Sequence, residues 1–120
     1  MKPKDIIRLQ RLIKLQENAA VQKLLIETEK YQKTDDQISN LKASKMSAFK
    51  STAFEELSAF DRWSEFTNER INTLSGQKKA LMLALTEAKT AAQFAIGRSA
   101  VVEKMSERQS SSQQKPRNKT

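Results

Sequence analysis

Apolar residues recur along this chain at alternating steps of three and four, in two long runs separated by a stretch where the pattern lapses. In the first run Ile6, Leu9, Ile13, Gln16 and Ala20 keep the spacing. After one extra residue, Leu24, Glu27, Tyr31, Thr34, Ile38, Leu41, Lys45 and Ala48 resume it. In the second run Leu57, Phe60, Ser64, Thr67, Ile71, Leu74, Lys78, Leu81, Leu85, Ala88, Ala92, Ala95, Ser99 and Val102 follow it without a break. A period of about 3.5 residues held over such a distance selects a left-handed coiled coil over a globular bundle helix, whose apolar face drifts toward about 3.6. Polar residues at Gln16, Glu27 and Thr34 make the first seam weak, so that helix is expected to need a partner in water. The small side chains from Ala88 to Ala95 let a partner helix come close.

Between the runs lies the segment Ser44 to Thr52, where hydroxyl side chains that compete for backbone hydrogen bonds accumulate. Thr52-Ala-Phe-Glu55 has the spacing of a capping box, which would start a new helix. At the other end, Lys-Pro-Lys-Asp over residues 2–5 reads as a helix entrance, with proline in the first turn and an acid facing the helix dipole. These signals predict an all-α fold of two long helices forming an antiparallel coiled-coil hairpin over residues 1–109. Helix 1 is expected at about 4–45, the turn at about 46–52 and helix 2 at about 53–108. Residues 110–120 lack apolar side chains and are expected to form a disordered basic tail. A single unbroken helix dimerising in parallel is the competing layout, because no glycine or proline forces the turn.

Composition narrows the chemistry more than the fold. The chain has 120 residues, 38% hydrophobic and 30% charged, and its two prolines, Pro3 and Pro116, lie near the ends of the sequence, so almost nothing between them interrupts a helix. Gly76 and Gly97 fall inside helix 2, where local tolerance at about 1 kcal/mol each is the plain reading. Cysteine and histidine are absent. That removes the imidazole base, the thiolate nucleophile and the imidazole and thiolate metal ligands, so no catalytic residue, cofactor or metal is expected and the protein is read as non-enzymatic. The paired acids Asp35-Asp36 and Glu55-Glu56 would point about 100° apart on a helix and are read as solvated. Ser75-Gly-Gln-Lys-Lys79 lacks the second glycine, the hydroxyl after lysine and the preceding strand of a phosphate loop. No run approaches the roughly 18 consecutive apolar residues of a membrane span and no secretory signal is visible, so a cytoplasmic location is expected.

Charge adds a direction. The net charge of +8 is carried by the two ends: residues 1–14 hold five basic and one acidic side chain, residues 104–120 five and one, and residues 15–103 twelve and twelve. In a hairpin these ends meet and form one strongly basic tip on a neutral shaft. Arg8, Arg11, Lys14, Lys104 and Arg108 are the candidate partner-binding charges, and an acidic protein socket is the favoured partner. Nucleic acid is disfavoured, because neither basic end contains an aromatic to stack on bases. The amphipathic opening from Ile6 to Leu15 also resembles a membrane-surface helix, but the coiled-coil seam claims its apolar positions. Five of the seven aromatics, Phe49, Phe54, Phe60, Trp63 and Phe66, gather around the turn. Two helices cannot enclose so many rings, so Phe54, Trp63 and Phe66 form a candidate partner-binding patch.

The second helix opens Phe60-Asp-Arg-Trp-Ser-Glu-Phe66, continues Arg70-Ile-Asn-Thr-Leu74 and closes with Val102-Glu-Lys-Met-Ser-Glu-Arg-Gln109. With the basic amphipathic first helix, this resembles the flagellar export protein FliJ and its virulence-secretion relatives, the YscO-like stalk proteins, in which the second helix commonly begins with an Arg-Trp and aromatic pattern, here Arg62, Trp63 and Phe66. The resemblance implies a non-enzymatic stalk of a type III protein-export apparatus, a monomer or weak dimer. Its paired ends would enter a hexameric export ATPase, with Arg8, Arg11, Lys14, Lys104 and Arg108 as the ATPase-binding tip. Its shaft would contact an export-gate protein, placing it peripherally at the inner membrane through these partners. A secretion chaperone or generic coiled-coil adaptor, and a nucleic-acid-binding rod, are the alternative functions, and no small-molecule substrate is expected under any of them. Crosslinks within one chain between residues near 10 and residues near 100 are expected for the hairpin; links only between equivalent positions of two chains would contradict it.

Overall fold

The computed structural model describes residues 2–114. They form two long helices in contact, α1 (Pro3–Ser51, 49 residues) and α2 (Leu57–Gln114, 58 residues), joined by a short 3-10 turn at Phe54–Glu56. No strand occurs among the described residues. Contacts group the helices into two units. The terminal unit comprises the described residues of Met1–Leu25 and Glu87–Thr120, and the turn unit is Ile26–Thr86. Each unit is a pair of helical segments.

In the turn unit the two segments run antiparallel. Lys78 Nζ donates to Asp35 Oδ1 at 2.6 Å, and advancing along α1 to Lys45 moves its partner back along α2 to Asn68, whose Oδ1 lies 2.6 Å from Lys45 Nζ. Ile38, Leu74 and Leu85 are buried here together with Thr34 and Thr67. The terminal unit is closed by Ile6 and Ile13 on α1 and by Ala88, Ala92, Ala95, Ser99 and Val102 on α2, all buried. Its alanines bury little area per residue but bring the backbones close, so packing contacts replace side-chain bulk.

The α2 seam matches the expected one from Phe60 to Val102, every position being buried or half-buried, and the same steps continue through half-buried Ser106 and Gln109. Leu57 is the exception. It is exposed, because it is the first residue of α2 and follows the turn directly. In α1 the expected phase break does not exist. The inward positions are Ile6, Gln10, Ile13, Glu17, Ala20 and Leu24, followed in the turn unit by Glu27, Tyr31, Thr34, Ile38, Leu41, Lys45 and Ala48, all in strict three-four steps. Gln16, expected inside, is exposed, and Leu9 is half-buried beside half-buried Gln10. Choosing the apolar Leu9 over Gln10 displaced the register of the first turns. The helix keeps its phase because polar side chains at Gln10 and Glu17 are accommodated, Glu17 by a hydrogen bond to Ser99 across the seam.

The turn is also shorter than the expected 46–52. Helix α1 continues to Ser51, where the Ser51 hydroxyl donates to the carbonyls of Ser47 (3.1 Å) and Ala48 (3.3 Å) and the Thr52 hydroxyl donates to Ala48. Hydroxyls read as helix breakers instead bond back to the preceding turn and close the helix end. Thr52 is thus unavailable for a capping box. The residue capping the 3-10 turn is Ala53, which has no side-chain cap bond, and its carbonyl accepts from the Glu56 amide at 2.9 Å. The entrance of α1 is as expected, with Pro3 as its first residue and Asp5 in its first turn. Residues 110–114, expected as tail, belong to α2, since the seam through Ser106 and Gln109 still meets Pro3, Ile6 and Ile7 of α1. The rest of the expected tail, 115–120, lies outside the described residues. No helix among the described residues is long and apolar enough to cross a membrane.

Gly76 and Gly97 both have ordinary helical backbone, and a methyl group added at either meets nothing within 4 Å. Each therefore loses backbone entropy on folding with no gain in packing. Gly76→Ala and Gly97→Ala are each expected to raise the free energy of unfolding by about 0.5–1 kcal/mol, read from denaturant midpoints. A loss of stability in either variant would reveal a close approach at that residue.

Candidate functional site

The five basic residues singled out by the sequence, Arg8, Arg11, Lys14, Lys104 and Arg108, are all exposed and all belong to the terminal unit. Within that unit, segments from both ends of the sequence lie side by side. Pro3, Ile6 and Ile7 border the same cleft as Ser106, Gln109 and Ser110, and one turn further in Arg11 and Lys14 border a cleft with Ser99, Val102 and Glu103. Arg11 and Lys14 are therefore brought to one rim, opposite α2. Lys14 is the one of the five held in an ion pair among the described residues, to Glu17 at 3.3 Å, and that bond also spans three residues of its own helix.

The units divide the charge more cleanly than position along the chain does. Among the described residues, the terminal unit carries ten basic and five acidic side chains and the turn unit nine and nine. The positive surplus among the described residues thus belongs to one unit. Such a concentration produces a field that steers acidic partners and falls off over about 10 Å at moderate salt.

The aromatic patch is less uniform than expected. Phe54 is 86% and Phe66 70% exposed, whereas Trp63 is 38% exposed and packs on Phe60 with ring centroids 5.9 Å apart. Phe60 in turn meets Phe49 at 5.8 Å. The rings in contact are thus Phe49, Phe60 and Trp63, which anchor the first turns of α2 to the end of α1, while Phe54 and Phe66 stand open.

Sequence reasoning missed a second apolar stripe on α2. Phe94, Val101 and Met105 are exposed and lie on one line with Arg98, whose guanidinium sits 4.9 Å from the Phe94 ring centroid. The stripe has the same three-four spacing as the seam, each member one residue before a seam position, and could have been found by scoring each helical face separately. Exposed Leu12 and Leu15 on α1 add to the apolar character of the same unit. The paired acids are drawn apart: Asp35 binds Lys78, and Asp36 accepts from Gln32 at 3.0 Å. Among the described residues, no group of three or more acidic side chains is placed to hold a metal ion.

Two titrating groups bear on the seam. Lys78 is held above its ordinary range by the hydrogen bond to Asp35, and it also lies 5.6 Å from the Tyr31 ring centroid. The Glu17 carboxyl is held below its ordinary range, first by the hydrogen bond from Ser99 and further by Lys14. Comparison with protein-family models, with curated proteins and with solved structures finds no match.

Because the folded carboxyl of Glu17 is the stronger acid, its contribution to stability is complete above the unfolded glutamate value of about 4.3 and is lost as pH falls through the lower folded value. Glu17→Gln is expected to flatten the acid side of the stability profile without altering the plateau between pH 6 and 8 by more than the loss of the Lys14 and Ser99 contacts. Thermal unfolding followed across pH 3 to 7 in both proteins checks this, and identical acid limbs would show that Glu17 is not linked to folding.

Proposed function

We propose that this protein is a non-enzymatic coiled-coil stalk of a type III protein-export apparatus, binding a hexameric export ATPase through its basic terminal unit and coupling it to an export-gate protein. The observation that carries the reading is the placement of the positive surplus among the described residues in the terminal unit, with Arg8, Arg11, Lys14, Lys104 and Arg108 exposed on it and the turn unit neutral. The resemblance of the segment from Phe60 to Leu74 to export stalks points the same way.

The mechanism is mechanical. A ring lined with acidic side chains attracts the terminal unit, and desolvated charge pairs fix its orientation. Exposed Leu12, Leu15, Phe94 and Val101 supply apolar contact area between the cations. Rearrangements of the ring on ATP hydrolysis then pass along continuous helices, which contain no loop to absorb them between Pro3 and Ser51 or between Leu57 and Gln114. The open rings of Phe54 and Phe66 in the turn unit offer anchors for the gate.

Reversing Arg8, Arg11 and Arg108 to glutamate in one chain tests the reading. Helicity should be retained, because exposed charges contribute little to stability. Binding to a candidate export ATPase should weaken about tenfold or more and lose its salt dependence. If the triple variant binds and stimulates the ATPase as the parent does, the basic unit is a solubility feature and the stalk reading fails.

A further inference from the structure

In the terminal unit the register of α1 frees apolar side chains that the seam was expected to claim. The inward positions take Ile6 and Ile13 but also Gln10 and Glu17, which leaves Leu9 half-buried and Leu12 and Leu15 exposed. Advancing along α1 from Pro3 to Lys14 moves the neighbouring residues of α2 back from Gln109 to Ser99, so the two segments run antiparallel. In an antiparallel pair the residues just before the inward positions of both helices lie on one side, and those just after them on the other. Arg11, Lys14 and Glu103 mark the second side, where they border one cleft. The first side carries Leu9, Leu12, Gln16, Ala19 and Lys23 from α1 and Phe94, Arg98, Val101, Met105 and Arg108 from α2, all exposed except half-buried Leu9 and Arg98. The acids of the same rows, Asp5 and Glu87, stand at its two ends, so the charge between them is that of Lys23, Arg98 and Arg108 alone. None of these three cations is in an ion pair among the described residues.

We propose that this side of the terminal unit lies flat on an anionic lipid surface. An interfacial helix needs apolar side chains that reach the acyl boundary and cations that stay at the level of the headgroups. Leu12, Phe94, Val101 and Met105 supply the first, spread over two helices instead of one. Lys23, Arg98 and Arg108 supply the second, their long stems following the apolar surface while the charged heads stay in the polar layer. The Arg98 guanidinium sits 4.9 Å from the Phe94 ring centroid, which ties a cation to the most exposed aromatic of the face. Charge complementarity favours this occupant, because the cations face a negative headgroup layer and no acid stands among them. Between the end acids the one uncharged polar side chain is Gln16, so the face has little to read a particular protein surface with but suits a layered medium. The opposite side differs, since Glu103 stands with Arg11 and Lys14 there. The proposal goes beyond the export reading and does not depend on it, and its test contains no ATPase, so either can fail alone.

Cosedimentation of the full chain with sucrose-loaded vesicles tests it, using phosphatidylcholine with about one third phosphatidylserine against phosphatidylcholine alone. The parent should pellet with the anionic vesicles, release as salt rises, and stay in solution with the neutral ones. Phe94→Ala with Val101→Ala, and separately Arg98→Gln with Arg108→Gln, should each weaken binding about tenfold or more. Arg11→Gln with Lys14→Gln removes the same charge from the opposite side, roughly a helix diameter away, and should cost less than about threefold. Circular dichroism checks that each chain stays helical, and should the Arg98 pair lose helicity, exposed Arg108→Gln alone must still weaken binding. A parent that ignores anionic vesicles would overturn the proposal and leave an acidic protein as the occupant of this face. Equal binding to neutral vesicles, an alanine pair that binds as the parent does, or an opposite-side pair that loses as much as the Arg98 pair would each overturn it as well.

Discussion

Helices of 49 and 58 residues with one inward-facing row of side chains have a single way to remove apolar surface from water, which is to lie against each other with those rows in phase. That constraint governs the molecule. Each inward row advances in unbroken three-four steps, and an inserted or deleted residue would rotate every later side chain by about 100° out of the seam. The chain keeps the phase even where it must place glutamine, glutamate, threonine or lysine inward. These polar entries bury less apolar area than leucine would, and three of them are met by a side chain of the other helix: Glu17 by Ser99, Lys78 by Asp35, and Lys45 by Asn68. An apolar seam of uniform leucines would pair in several registers. A few polar pairs with one matching alignment restrict it to one.

The all-α fold and the α2 seam were legible because periodicity is a global signal that averages over many residues, and the positions from Phe60 to Val102 carry it redundantly. The α1 register from Ile6 to Ala20 was not legible, because the local choice between Leu9 and Gln10 favours the apolar residue, whereas the observed phase is fixed by residues further along the helix and by a hydrogen bond to Ser99 that lies 82 positions away in sequence. The end of α1 was misread for a related reason. Serine and threonine can either leave a helix or bond back into it, and composition does not say which; Ser51 and Thr52 bond back to Ser47 and Ala48. Of the candidate surface residues, the five cations and the exposure of Phe54 and Phe66 followed from charge placement and from the excess of rings over available cover. The Phe94, Arg98 and Met105 stripe escaped because a single strong period masks a weaker one running beside it.

The division into a charged terminal unit and a neutral turn unit gives the two regions different physical repertoires. A surplus of positive charge favours an oppositely charged partner and disfavours a second copy of the same unit. A neutral unit with exposed Met46 and Phe49 has no such bar. Short buried stretches of alanine in the terminal unit and tethered aromatic rings in the turn unit then serve one purpose, holding these surfaces on continuous helices.

The central claim is that cross-helix polar pairs within one chain set the alignment of the two helices, and exchanging the most direct of them tests it. Unfolding midpoints would be compared for the parent, Asp35→Lys, Lys78→Asp and the chain carrying both changes. Each single change leaves two like charges facing across the seam and should lower the midpoint, while the double exchange restores the pair and should recover most of the loss. Losses that simply add in the double variant would contradict the claim, leaving the apolar seam alone to determine how the helices align.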